Sequence, residues 1–329
     1  MKQSVILFCL LLAAGIVGAN AKQTDNQNLY FNLLDHGAYC NAAQPDDAGF
    51  AAAIAAAYAK GGTVAVPAQF CIAKQIELKD GVTLLGAGMS SPNWGATIRQ
   101  PNGVNKDLIV SDKSRATGFT QFGGLSTLRL YAAPSPANTS TIGNGINWLA
   151  VSGEGTKFEH LVINNFPQDG ILFQNGGEPL LLRDIHVFGC GRYGIEIKSS
   201  NHGNQLIQLE HISGDNNKLG LIHIDVGAAT GSISILINGV KAESDGTNQL
   251  DPIVLDSAKP SPVDIWINGM VYQVQSGKAA EAAIRIDSGV WRLHYCGISV
   301  SPNVKYILSD SVKKRTSVSS CELGTTTQP

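Results

Sequence analysis

A two-residue bend between apolar residues recurs through most of this chain, and it restricts the fold more than any other feature. It reads Leu125-x-x-Leu128, Phe158-x-x-Leu161, Leu182-x-x-Ile185, Leu209-x-x-Ile212, Ile237-x-x-Val240, Ile267-x-x-Met270 and Tyr295-x-x-Ile298. From Leu161 onward the second apolar member advances by 24, 27, 28, 30 and 28 residues. Short period-two alternations flank each bend, as in Leu180/Leu182 and Ile185/Val187, and such alternation marks a half-buried strand. Two residues cannot carry a hairpin's return and keep the next strand parallel, so the chain bends there and does not reverse. A third strand follows each long turn, at Ile146/Trp148, Ile171/Phe173, Ile195/Ile197, Ile222/Ile224, Ile253/Leu255 and Ile284/Ile286. One coil cannot bury its own apolar face, whereas stacked coils can. The pattern therefore predicts an all-β, single-stranded parallel β-helix with three strands per coil.

Ahead of the repeats, residues 1–21 carry Lys2, an apolar run from Val5 to Val17 and a small-residue Ala19-Asn20-Ala21 site, which reads as a secretory signal. Its removal leaves 24 − 1 = 23 basic against 26 acidic residues, a balance that disfavours nucleic acid and anionic membrane surfaces as partners. Residues 22–34 read as a linker, and residues 35–325 as the β-helix domain. A secreted or periplasmic location permits disulfides, and chain order suggests Cys40–Cys71 at one end and Cys296–Cys321 at the other, leaving Cys190 unpaired in a Gly-Cys-Gly turn. Residues 46–60 give the one convincing helix: Asp46 or Asp47 as cap, Phe50, Ile54 and Ala57 or Tyr58 as an apolar stripe, and Gly61-Gly62 as its stop. Such a helix suits a lid over the solenoid's open end, where unpaired strand edges would otherwise invite aggregation.

Several of these residues resemble a known family. Asp35-His36-Gly37-Ala38, Asp46-Asp47, Gly61-Gly62-Thr63-Val64 with Val66-Pro67, and Gly81-Val82-Thr83-Leu84-Leu85-Gly86-Ala87-Gly88 are similar to the N-terminal signature of the pectate lyase superfamily, with its rhamnogalacturonase- and epimerase-like members. The resemblance implies a right-handed β-helix and a polysaccharide substrate, handled by hydrolases, lyases, epimerase-like enzymes or phage tailspike depolymerases. The signature is a capping and first-coil motif and carries no catalytic residues across. The polygalacturonase set of Asn-Thr-Asp, Asp-Asp, Gly-His-Gly and Arg-Ile-Lys is departed from: the nearest strings are Asn138-Thr139-Ser140, Asp215-Asn216, Asn201-His202-Gly203 and Arg285-Ile286-Asp287.

Outward residues of equivalent strands align coil on coil at about 4.8 Å, so columns can be read from sequence. The strand after the long turn shows Asn147, Leu172, Glu196, His223, Val254 and Arg285 in one column, and Gln174, Lys198, Asp225, Asp256 and Asp287 in the next. Related β-helical polysaccharide enzymes bear the substrate groove on this face. Glycoside hydrolysis needs two carboxyl groups, roughly 5 Å apart for retention and roughly 6.5–9.5 Å for inversion. Glu196 and Asp225 stand a diagonal step apart, about 7–8 Å, which suits inversion. Asp256 stacks on Asp225 as a third catalytic candidate. Lys198, His223, Arg285, Asp287 and the turn-borne Tyr193 are substrate-binding candidates. A calcium-dependent lyase would instead use Asp225, Asp256 and Asp287 as metal ligands and Lys198 or Arg285 as the base; the hydrolase reading needs no cofactor.

Plainer alternatives stand beside these. Each aspartate sits at a strand end, where Asp often starts a turn by bonding its own backbone. His160, Asp184 and His211 line up at the bend, but Gly239, Gly269 and Gly297 occupy the same column in later coils, which favours a left-handed bend ladder over a metal site. Trp148 and Trp266 fall at inward parity and read as core. The loops Tyr131–Gly145 and Glu243–Asp251 would wall the groove, and no heptad pattern suggests oligomerisation. The functional expectation is a secreted monomer that binds and cleaves a polysaccharide, hydrolase before lyase. Its rival is a non-catalytic extracellular glycan-binding or surface protein.

Overall fold

The computed structural model describes residues 29–88, 95–111, 123–133, 140–149, 155–174, 180–199, 205–228, 231–245, 251–275, 279–311 and 316–321. The expected signal, residues 134–139 and 246–250 of the two long loops, and with them Asn138 and Thr139, lie outside the described residues. All strand pairings among the described residues are parallel, and they form a fourteen-stranded and a nine-stranded sheet wound into a right-handed β-helix. The first coils show the three-strand unit openly. Thr63–Val66, Phe70–Ile72 and Ile76–Leu78 are separate strands, as are Thr83–Gly86, Thr97–Gln100 and Ile109–Ser111. From Gly124–Ala132 onward the first two arms run as one bent strand, which pairs with Thr83–Gly86 on one side of the bend and with Thr97–Gln100 on the other.

Each bend turns on a single left-handed residue. Thr127, His160, Asp184, His211, Gly239, Gly269 and Gly297 form this column, with φ between 52° and 71°. The four non-glycine members hold a conformation that L-residues resist, so the bend is imposed by stacked coils and not by local preference. His160, Asp184 and His211 are thus bend residues. Asp184 bridges the two histidines at 3.2 and 2.9 Å, in the open at the surface.

The core is the inward half of each alternation. Ile171, Ile195, Ile222, Ile253 and Ile284 stack with no exposed surface, as do Leu182, Leu209, Ile237 and Ile267 on the opposite wall. At roughly 25 cal/mol per Å² of apolar area, these ladders supply the main drive for coil stacking. Trp148 is buried, but Trp266 is 37 % exposed and stacks on His294 at 5.3 Å, which corrects its reading as core. Its strand, Val263–Val274, turns Ile265 and Ile267 inward, so Trp266 between them points out.

The helix runs Asp47–Lys60 and buries Phe50, Ala53, Ile54 and Ala57, leaving Tyr58 exposed. Neither aspartate caps it through a side-chain bond. The buried Asp46 carboxylate accepts instead from the backbone N–H groups of Tyr39, Cys40 and Ile72, and Asp47 accepts from those of Lys74 and Gln75. The pair binds the lid to the first coil. Disulfides Cys40–Cys71 and Cys296–Cys321 hold the two ends, and Cys190 is a buried free thiol. Tyr30–Asn32, inside the stretch expected as linker, is a strand that pairs with Thr63–Val66.

Candidate active site

The nine-stranded sheet carries the two polar columns in the register read from sequence. Asn147, Leu172, Glu196, His223, Val254 and Arg285 are paired strand to strand, and so are Gln174, Lys198, Asp225 and Asp256. Pairing of Ile253–Ser257 with Ala280–Ile286 stops at Leu255–Ile286, so Asp287 lies just past the strand end.

Glu196 is not an exposed strand residue: it is 1 % exposed, although its parity points it outward. Neighbours close over it. One Arg192 amino group bonds both its oxygens at 3.1 and 3.0 Å, the Lys198 ammonium stands at 3.1 Å, and His223 Nδ1 lies 3.2 Å from Oε1. Asp169, fully buried just before the preceding strand, is hydrogen-bonded to it as well. Two carboxyl groups this close and this dry do not both ionise. Burial, with the Glu196 charge beside it, pushes Asp169 up to about 7. Burial pushes Glu196 the same way, but hydrogen bonds from His223 and Asp169 and the charges of Arg192 and Lys198 outweigh it and hold Glu196 down at about 2. The shared proton therefore sits on Asp169. That assignment also gives a role to Asp169 Oδ2, a buried oxygen that accepts no hydrogen bond and has the Arg192 guanidinium only at 3.6 Å.

His223 links this buried pair to the surface. Its Nε2 lies 3.1 Å from Asp256 Oδ2, and its ring stacks on Tyr193 at 4.4 Å. Burial lowers its pKa, but the hydrogen bonds to Glu196 and Asp256 outweigh this and raise it, favouring the imidazolium, whose two N–H groups would each face a carboxylate oxygen. Tyr193 opens the strand Tyr193–Ser199 and is not turn-borne; 9 % exposed, it presents its ring to His223 and is positioned to orient that side chain.

Asp256 receives a second hydrogen bond from the Ser288 hydroxyl at 2.8 Å, so each of its oxygens has a donor. Asp225 is its in-register neighbour, half-buried, and no hydrogen bond to its carboxylate occurs among the described residues. Burial first, then the Asp256 charge, raise the Asp225 pKa against the lowering effect of His223. Two adjacent carboxyl groups thus differ in kind: one held by donors, the other biased toward its protonated form.

Arg285 is tied to Asp251 and, at 2.8 and 3.0 Å, to both oxygens of Asp287. Burial lowers its pKa, but these partners outweigh that and raise it, which unsuits it as a base. Asp287, one of the three ligands in the calcium reading, is bonded to Arg285 through both oxygens. The cluster whose ligand atoms converge among the described residues is Cys40, Asp46 and Cys71, where both sulfurs are in a disulfide.

Asp169, Arg192, Asp251 and Ser288 belong to this network and were not read from sequence. Asp169 had a signal: Asn144-Gly145-Ile146, Asp169-Gly170-Ile171 and Tyr193-Gly194-Ile195 repeat a triple in which the first member's side chain meets the next coil's backbone. Asn144 Oδ1 accepts from Asp169 N–H at 2.9 Å, and Asp169 Oδ1 from Tyr193 N–H at 2.9 Å.

Residues 30–246, more than half of the chain, match the family described as rhamnogalacturonase A/epimerase, pectate lyase-like. The chain belongs to this family. No curated protein matches it in sequence. Among solved structures it is similar to the enzymatically active domain of tailspike protein 2 from bacteriophage CBA120, with 11 % identity and a TM-score of 0.55 over 88 % of this chain and 47 % of that one. The tailspike of Acinetobacter phage vB_ApiP_P1 is similar at 11 % identity and a TM-score of 0.51, over 90 % of this chain and 60 % of that one. The A-module of the Azotobacter vinelandii mannuronan C-5 epimerase AlgE4 aligns at 18 % identity and a TM-score of 0.42, over 88 % and 94 % of the two chains. The chain thus spans about half to three-fifths of the two tailspike chains. These likenesses carry the fold.

Proposed function

We propose that this protein is an extracytoplasmic glycoside hydrolase acting on a polysaccharide, with Asp225 and Asp256 as its working pair. The observation that carries the reading is their in-register stacking on the outer column, beside a buried network that fixes one of them. Asp225, biased toward protonation, donates its proton to the glycosidic oxygen as the bond to the anomeric carbon breaks. Asp256 attacks that carbon to form a glycosyl ester. Water, deprotonated by the resulting Asp225 carboxylate, then cleaves the ester and restores both groups. Glu196 takes no part in bond making: buried between Arg192, Lys198, His223 and Asp169, it is a positioning residue that holds His223 against Asp256. Adjacent strands lie about 4.8 Å apart, a spacing of their outward side chains that suits retention and not the inversion expected for Glu196 with Asp225. The two disulfides suit an oxidising compartment. Family membership and the tailspike likeness support a glycan as substrate.

Reducing-sugar release and the ultraviolet absorbance of unsaturated uronate, measured together on a polysaccharide panel, test the reading. Reducing ends alone, with the anomeric configuration retained in the first-formed product by NMR, are expected. Both signals together would make the protein a lyase, for which Lys198 remains as a base and calcium as a cofactor to test by chelation. Neither signal, with binding intact, would leave a glycan-binding protein.

A further inference from the structure

We infer that the Asp225–Asp256 groove takes glycans whose sugar at the cleavage point carries no carboxylate, namely neutral hexoses or amino sugars, and rejects polyuronates. The inference rests on the glycosidase reading of this face and concerns which sugar it admits. Its basis is the allocation of charge around the groove.

Binding a uronate requires a guanidinium or ammonium group free to meet its carboxylate. Arg192, Lys198, His223 and Arg285, the cations beside the two carboxyl columns, each have an acidic partner within the protein. Arg192 grips both oxygens of Glu196 and stands 3.6 Å from Asp169. Lys198 is 3.1 Å from Glu196, and both ring nitrogens of His223 face carboxylates. Arg285 is shared between Asp251 and Asp287. A uronate would have to displace one of these internal partners and leave a carboxylate, for Arg192, Lys198 and His223 the buried Glu196, short of a counter-charge.

Carboxylates reach solvent on this face to the same extent as the paired cations. Along the outermost column Lys198 is followed by three carboxyl groups, Asp225, biased toward its protonated form, then Asp256 and Asp287, whose side chains are 30 % and 40 % exposed. A substrate carboxylate brought to the cleavage point beside Asp225 would meet the Asp256 carboxylate within one strand spacing. Hydroxyl groups, by contrast, can donate to these carboxylates, and a protonated amine would be attracted to them. Discrimination thus comes from a built-in repulsion as well as from contacts.

The test uses the full-length protein with laminarin, chitosan, polygalacturonate and alginate at low salt. Turnover on laminarin or chitosan should exceed that on either polyuronate by at least about tenfold, and added salt should narrow the gap by screening the repulsion. Retaining cleavage of a polyuronate as fast as of the neutral polymers would overturn the inference while leaving the hydrolase reading intact. If no polymer is cleaved, the hydrolase reading fails and affinity electrophoresis in gels containing the same polymers decides the selectivity. Retardation by laminarin or chitosan alone supports it, whereas retardation by polygalacturonate or alginate, or by none of the four, overturns it. Asp287→Asn releases one partner of Arg285 and should tighten polygalacturonate binding several-fold relative to wild type. Unchanged binding would overturn the argument from charge.

Discussion

Replacing Asp169 by Asn offers a direct measure of the proton held inside the coil stack. Asp169 is 0 % exposed, so solvent does not dilute its ionisation penalty. Its pKa is raised from 3.8 to about 7, by burial first and by the Glu196 charge second. An acid with a raised folded-state pKa favours the fold while protonated; its contribution is whole below the unfolded value and is lost as pH climbs to the folded one. Between about pH 5 and about pH 8 the wild type should lose roughly two units' worth, on the order of 3 kcal/mol. Asn does not titrate, yet its amide can donate to Glu196 and its carbonyl can accept from Tyr193 N–H. Glu196, held at about 2, stays ionised across the window in both proteins and drops out of the comparison. Urea midpoints at the two pH values are the assay. Asp169→Asn should gain on the wild type as pH rises, whatever its displacement at the lower pH. An equal displacement at both pH values would refute the placement of the proton on Asp169.

The remaining predictions concern the surface pair, its support and the backbone. Asp225→Asn and Asp256→Asn should each lower kcat by about 10²–10⁴-fold on a cleavable glycan while leaving the urea midpoint close to wild type. Glu196→Gln should behave differently: it breaks a buried ion cluster, so a loss of about 3–5 kcal/mol in urea unfolding is expected together with reduced activity. In the bend column, Gly269→Ala meets no atom nearer than 3.9 Å and should cost only the left-handed strain, roughly 1–2 kcal/mol. Gly191→Ala would place its Cβ 2.0 Å from the Pro167 carbonyl oxygen and should be the more damaging of the two in thermal melts.

Period and parity were legible without coordinates, because both are properties of the chain alone. The recurring bend, the apolar alternation and the coil length determine that strands stack in parallel and which side chains share a column. The register Glu196–His223 and Lys198–Asp225–Asp256 follows, as do the Cys40–Cys71 and Cys296–Cys321 pairs, one near each end. Parity says which side of the sheet a residue leaves from, but not what lies over it, and the site was decided there. Glu196 leaves outward and is buried because Arg192 and Lys198 from its own strand region, and His223 from the next coil, fold over it. Asp169 precedes its strand, where alternation carries no information, yet the coil turn brings it against Glu196. The pairing of Arg285 with Asp251 and Asp287 depends on rotamers and turn path in the same way. Backbone periodicity is local and survives in sequence, whereas the burial of a charge depends on side chains converging from neighbouring coils, and only the assembled stack brings them together.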